Sequence, residues 1–149
     1  LTLFERARVH VGSWGYGMAR RALDESIKYA IDRSQHGKPI AGHQLIAEKL
    51  AVMATEIDAA RLLSLRAAGM IDAGQRCDKE CAMAKWYGTE IAVSATRQAV
   101  QIHGGNGVTK EFIVERLARE AMIAPIPDGT TEIQKLLIGR SLTGVSAFR

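Results

Sequence analysis

The chain has 149 residues, 47% of them apolar and only 5% aromatic, and a formal net charge of +4. That length suits one domain with a real core, and a composition rich in Ala, Leu, Ile, Arg and Glu favours helices packed on helices over a β-sandwich. Basic residues alternate with acids instead of forming a stripe, which argues against a nucleic-acid surface, and no apolar run approaches the ~18 residues of a membrane span.

The first predicted element is a helix from Thr2 to about Arg33. No proline interrupts it, and Phe4, Val9, Val11, Met18, Ala19, Ala22, Leu23, Ile27, Ala30 and Ile31 recur at helical spacing. Thr2 and Glu5 have the spacing of a capping box. At full length the helix would run roughly 45 Å. It is already in stride at Leu1, with no initiator Met, so the expectation is a piece of a longer polypeptide.

Within it, "GSWGYG" (12–17) imitates a dinucleotide fingerprint, but that motif needs a strand before its glycines. Three helical glycines, Gly12, Gly15 and Gly17, imply instead that something approaches the backbone closely. A neighbouring helix is the favoured reading and a flat ligand ring the other.

"HGKP" (36–39) ends this helix. A second is predicted from about Gly42 to Ala73, with Leu45, Leu50, Met53, Ile57, Ala60, Leu63 and Ala67 as its buried stripe. A third runs from about Asp78 to His103, a shorter fourth from about Lys110 to Ile123, and a fifth from near Gly129 to about Leu142. The fold class expected is all-α: an up-down bundle of three long and two shorter helices in a single domain, 1–149. Cys77 and Cys81 lack the further ligands a zinc site needs and read as free, partly buried thiols.

Three junctions carry chemistry. Arg33 at a helix end and Gln44 beyond the turn could hold a phosphate and an amide-rich ring, although a cation at a helix C-terminus is favourable by itself. "QIHGGNGV" (101–108) is either a C-cap and turn or a nest of backbone N–H groups for an anion. In "PIPDGTTEIQ" (125–134), Asp128 has the position of a helix cap, and Gly129, Thr130 and Thr131 present donors at the positive end of a helix.

In order along the chain, "FERAR", "ARRALDESIKYAIDRSQHGKPIAGHQLIAEKL", "AVQIHGGNGV", "VERLARE" and "IPDGTTEIQKLLIGRSL" resemble the C-terminal helical domain of the acyl-CoA dehydrogenases, over nearly the whole length. The resemblance implies the last part of a three-part protein, with an N-terminal helical domain and a middle β-barrel outside this sequence. The implied cofactor is FAD, lying between the barrel, this bundle and the bundle of a neighbouring subunit. The implied partners are an acyl-CoA substrate, an electron-transfer flavoprotein as acceptor, and further copies in a homodimer or homotetramer.

Carried over by position, Asp128 is the base that takes the α-proton of the thioester. Arg33, His36, Gln44, Gln101, Gly104, Gly105, Gly129 and Thr130 contact the FAD. Arg8, Glu5 and Gly129 contact the acyl-CoA. The thioester oxygen would be met by the base residue's backbone N–H and a ribityl hydroxyl of the flavin.

Two departures from the family pattern stand out, at Asp128 and at His36. Asp128 occupies a position where most members carry Glu, one methylene longer, and a misplacement near ~1 Å can cost about a hundredfold in rate. Branches that place the carboxylate on the first helix do so where this chain has Ala7. His36 stands where Phe is usual. Nitroalkane oxidases resemble the same family and use an aspartate base, so other flavin chemistry is a second reading; a helical oligomerisation module without activity of its own is a third.

Overall fold

The computed structural model describes residues 2–148, with Thr2 described by its backbone alone, so the Thr2–Glu5 capping box lies outside the described side chains. Five helices form: α1 (Thr2–Asp32), α2 (Gln44–Asp72), α3 (Asp78–His103), α4 (Ile113–Ala121) and α5 (Thr131–Thr143). The architecture is the all-α bundle expected. Among the described residues no helix is long and apolar enough to cross a membrane.

Pairings between helices fix their directions. Gly12 faces Ala84 and Gly15 faces Gly88, so α1 and α3 run parallel. Lys49 Nζ donates to Gln98 Oε1 (2.9 Å) and Arg66 pairs with Glu80 (3.1 Å), so α2 runs against α3. The three long helices are therefore up, down, up. Their shared core is built from Met18, Ala19, Ala22, Met53, Ile57, Ala60, Ile91, Ala92 and Ala95, with Val114 and Leu117 of α4 closing one end.

Small residues set how closely the helices meet. A Cβ on Gly12 would lie 2.5 Å from the Ala84 carbonyl oxygen, and one on Gly15 would collide in the same way with Gly88. The glycines of "GSWGYG" thus meet a neighbouring helix. Gly17 is different, since a Cβ there would meet nothing within 4 Å, and nothing in the structure explains it.

Some expected stripe positions turn out to be exposed: Leu45 is 77% exposed, and Phe4, Ile27 and Ile31 are also exposed. On α1 the buried positions are Gly12, Gly15, Met18, Ala19, Ala22, Leu23, Ser26 and Ala30. Ile27 and Ile31 each lie one residue on from this stripe, which is about 100° round a helix with 3.6 residues per turn. Leu45 is displaced in the opposite sense, one residue before half-buried Ile46.

Several boundaries move inward, those of α4 at both ends, to Ile113 and Ala121. Between α1 and α2 the chain makes a two-residue antiparallel ribbon, β1 (Ser34–Gln35) and β2 (Lys38–Pro39). His36 (φ 51) and Gly37 (φ 77) form its turn, the backbone combination a tight hairpin requires. A 3-10 turn, Ile40–Gly42, follows, so α2 begins at Gln44 rather than Gly42. The fifth helix starts two residues later than expected because Asp128 (φ 55) and Gly129 (φ 95) are both left-handed. Cys77 and Cys81 are fully buried free thiols with sulfurs 3.5 Å apart.

Candidate active site

The sequence-predicted residues fall into two places. The first is a cavity of about 410 Å³ at the end of α1, between the ribbon and the turn that follows α3. It brings together Arg33, His36, Gly104 and Gly105, with Tyr29, His43 and His103. Gln44, the first residue of α2, and Gln101, in the last turn of α3, are exposed and adjoin lining residues in sequence without lining the cavity themselves.

Backbone turns and rings make this cavity. Gly104 (φ 59) ends α3 in a conformation that favours glycine, and a Cβ on Gly104 or Gly105 would meet nothing, so the wall is bare backbone. Tyr29 and His103 stack with centroids 4.2 Å apart, and Asn106 Nδ2 donates to the Tyr29 hydroxyl (2.9 Å). His103 Nδ1 lies 2.8 Å from the Ala99 carbonyl. A carbonyl only accepts, so Nδ1 carries the proton and Nε2 is left as an acceptor. Burial holds the imidazole below its ordinary value of 6.5, partly offset by that hydrogen bond. Opposite, His36 is exposed and edge-on to His43, whose Nε2 is 3.2 Å from the Gln35 carbonyl.

The second place is the turn that carries Asp128. About 18 Å of α3 separates it from the cavity, measured from Glu90 to Ile102 at helical rise. Asp128 is half-buried. It is not a helix cap: Thr130 holds the cap position of α5, and no side chain makes the capping bond. Two successive left-handed residues carry Asp128 out of the geometry from which a carboxylate reaches the second or third N–H of a helix.

Side chains from elsewhere hold the turn. Gln134 Nε2 donates to the carbonyls of Asp128 (3.1 Å) and Gly129 (2.9 Å). Lys85 Nζ donates to the Pro125 carbonyl (2.6 Å), and the Thr131 hydroxyl donates to the Glu90 carboxylate. Lys85 and Gln134 are both fully buried. Burial pushes the Lys85 ammonium below its usual range; Glu90, Asp128 and Glu132 pull it back up, and Arg8 pushes it further down. Among the described residues no acceptor is bonded to the backbone N–H of Asp128, Gly129 or Thr130.

Arg8 is half-buried on α1, near enough to Lys85 to be felt by it, and its Nε is buried without a partner. Glu5 turns instead to Asp78 at the start of α3. Hydrogen bonding to Asp78 is the main cause that raises its carboxyl above the usual range, followed by burial. Sequence reasoning missed Lys85, Glu90 and Gln134. The signal for Lys85 was available: a lone lysine set among the small residues Cys81, Ala82, Ala84, Gly88 and Ala92 that α3 buries.

Comparison with known proteins gives one answer. Residues 1–143 match the family model described as "Acyl-CoA dehydrogenase, C-terminal domain". An acyl-CoA dehydrogenase of Bacillus subtilis is 44% identical over 137 residues, 92% of this chain and 36% of the relative. The caffeyl-CoA reductase–Etf complex subunit CarC of Acetobacterium woodii is 45% identical over 135 residues, 91% of this chain and 36% of that protein. The solved structure of butyryl-CoA dehydrogenase from Megasphaera elsdenii superposes with a TM-score of 0.92 at 37% identity, covering 93% of this chain and 36% of that one. The chain thus spans about a third of the length of these relatives. It belongs to the family of acyl-CoA dehydrogenase C-terminal domains.

Proposed function

We propose that this chain is the part of an FAD-dependent acyl-CoA dehydrogenase that supplies the α-proton base and one wall of the flavin site. The observation that carries the reading is the Asp128 turn. There a half-buried carboxylate stands on a backbone whose carbonyls are fastened and whose N–H groups have no partner among the described residues. Loss of a proton from the α-carbon leaves charge on the thioester oxygen, which needs donors already in place. The N–H of Asp128 is such a donor and its carboxylate is the acceptor for the proton, so one residue serves both ends of the step.

The cavity at the end of α1 fits part of the cofactor. The exposed Arg33 guanidinium suits a diphosphate. Bare glycine backbone allows close approach, and the Tyr29–His103 stack offers a flat, neutral face. When bound, FAD supplies the acceptor for the β-hydride. This chain's own residues do the rest of what is assigned here: Arg33, His36, Gly104 and Gly105 bind, Arg8 is available to the acyl-CoA, and Asp128 moves the proton.

The separation of cavity and base turn along α3 supports an assembly in which the cavity serves a flavin other than the one facing Asp128, so that a second copy of the chain completes each site. An electron-transfer flavoprotein is the proposed acceptor, in keeping with the Etf complex to which one relative belongs. Relatives named as dehydrogenases and as a reductase share this domain, and a base that removes the α-proton returns it when the reaction runs backward.

Anaerobic mixing of the full-length protein with a panel of acyl-CoAs, following flavin absorbance, tests the reading. One chain class should bleach the flavin, and Asp128→Asn should keep the yellow cofactor yet lose reduction by at least about a thousandfold, the scale on which a positioned base contributes. Asparagine suits the test because it tolerates the left-handed backbone as aspartate does. Bleaching by no acyl-CoA, with FAD bound, would turn the reading to nitroalkane-type chemistry.

A further inference from the structure

Lys85 is fully buried, and lysine is almost never so unless paired. Its partner here is a carbonyl rather than a carboxylate: Nζ donates to Pro125 at 2.6 Å, 40 residues further along the chain. No packing argument calls for an ammonium at this point. The neighbours of Lys85 on the inner face of α3 are a cysteine, alanines, a glycine and a threonine.

What the bond holds is specific. Pro125 O is the last carbonyl fastened by a side chain before the base, and the Asp128 carbonyl, held by Gln134, is the next; a further bond in this stretch runs from the Ile126 N–H back to the Ile123 carbonyl (3.0 Å). Between them lie only Ile126 and Pro127. Proline fixes its own φ and restricts the residue before it, so this segment has little freedom to absorb a shift at either end. Asp128 itself sits in a left-handed conformation, which aspartate tolerates better than most non-glycine residues but which remains uncommon. Displacing the Pro125 carbonyl would therefore displace the Asp128 carboxylate.

The root of Lys85 is also fixed. Gly12 lets α1 close onto α3 here, and a Cβ on Gly12 would lie 3.2 Å from the Lys85 Cα. The side chain thus runs from a tightly closed helix pair to the turn that bears the base.

We propose that Lys85 is a positioning residue for Asp128: an ammonium on α3 that sets the reach of the carboxylate by anchoring the Pro125 carbonyl. The proposal rests on the reading of Asp128 as the α-proton base. It also addresses how an aspartate can serve where a longer side chain is usual, because the position of the turn, and not side-chain length alone, decides where the oxygens lie.

The test uses full-length protein with FAD and compares Lys85→Met, Lys85→Arg and Asp128→Asn. Four quantities are read: FAD stoichiometry, acyl-CoA affinity, the rate of flavin reduction, and exchange of the substrate's α-proton with D₂O. Lys85→Met keeps the stem and removes the donor. It should lower both α-proton exchange and reduction by about a hundredfold, the effect of a displacement near ~1 Å. FAD content and acyl-CoA affinity should stay within about twofold, and the α-deuterium isotope effect on reduction should rise. Lys85→Arg, which keeps a cationic donor at altered reach, should recover at least about tenfold of the loss.

A merely structural lysine would lower the fraction of active protein and leave the exchange rate per bound flavin and the isotope effect unchanged. That result overturns the proposal. If Lys85→Met does not assemble, Lys85→Gln, whose donor nitrogen ends one bond short of the Pro125 carbonyl, decides: slowed exchange with a raised isotope effect supports the proposal, and wild-type values refute it. The base reading fails separately, through exchange that persists in Asp128→Asn.

Discussion

The Asp128 turn and the cavity at the end of α1 are built on opposite plans. The turn has an improbable backbone, with two prolines followed by two left-handed residues. Buried polar side chains reach it from α3 and α5: Lys85 and Gln134, with Glu90 beside them. The cavity has a left-handed pair as well, His36 and Gly37, but there it is the turn of a two-residue hairpin closed by strand pairing. The side-chain bonds made there by His43 and Asn106 are at the surface, and Arg33, His36, Gly104 and Gly105 on its walls are exposed. A group that must meet a carbon-bound proton has to be placed to within a fraction of an ångström. A wall for a large ligand can be left open, because the ligand brings its own shape and other parts of the assembly close over it.

This contrast can be broken from the scaffold side. Gly15→Val would drive a branched side chain into the Gly88 carbonyl and force α1 away from α3. Overpacking of that kind costs about 3 kcal/mol. The full-length variant should show a much lower unfolding midpoint in urea, with base-turn activity lost along with it. A wild-type midpoint would mean that α1 and α3 can separate without cost.

The cavity should respond differently. Arg33→Ala removes an exposed cation, so the fold should be unaffected while FAD binds about tenfold more weakly, or ~1.4 kcal/mol. Fluorescence titration of the apoprotein measures this, and reduction per bound flavin should not change. A slowed reduction step with undiminished FAD affinity would erase the distinction between the two regions.

The smallest effect concerns His103. Replacing it with Phe keeps a ring against Tyr29 and gives up the hydrogen bond to the Ala99 carbonyl, a loss of about 1 kcal/mol at neutral pH. Burial lowers the proton affinity of the native imidazole, so below about 6.5 the unfolded chain takes up a proton that the native chain refuses. Wild-type stability should therefore fall as pH drops from about 6.5 toward the lowered native value, and His103→Phe should lack that component. The stability gap between the two proteins narrows with acid; a gap that stays constant from neutral to mildly acidic pH would show that His103 titrates as though in water.

Much of this was legible in the chain itself. Helix period, proline positions and glycine turns marked three long helices and two shorter ones with boundaries within a few residues, because those signals are local. The left-handed pair at Asp128 and Gly129 escaped, since "DGT" before an apolar repeat reads equally well as a capped helix start. The small hairpin at His36–Gly37 escaped because a two-residue ribbon has no periodicity.

The candidate residues divide in the same way. Arg33, His36, Gly104, Gly105 and Asp128 could be named from their motifs, since each motif is contiguous. Lys85 and Glu90 could not be tied to the base, because their bonds span 40 and 41 residues of sequence and exist only once α3 and α5 are packed. Local sequence determined which segments are helical and where the chain turns, since backbone sterics and hydrophobic spacing act over a few residues. Only tertiary structure decided which buried polar groups meet, because that depends on helices brought together across the whole domain, and it left the turn around Asp128 fastened by Lys85 of α3 and Gln134 of α5, with Asp128 itself not the cap of its helix.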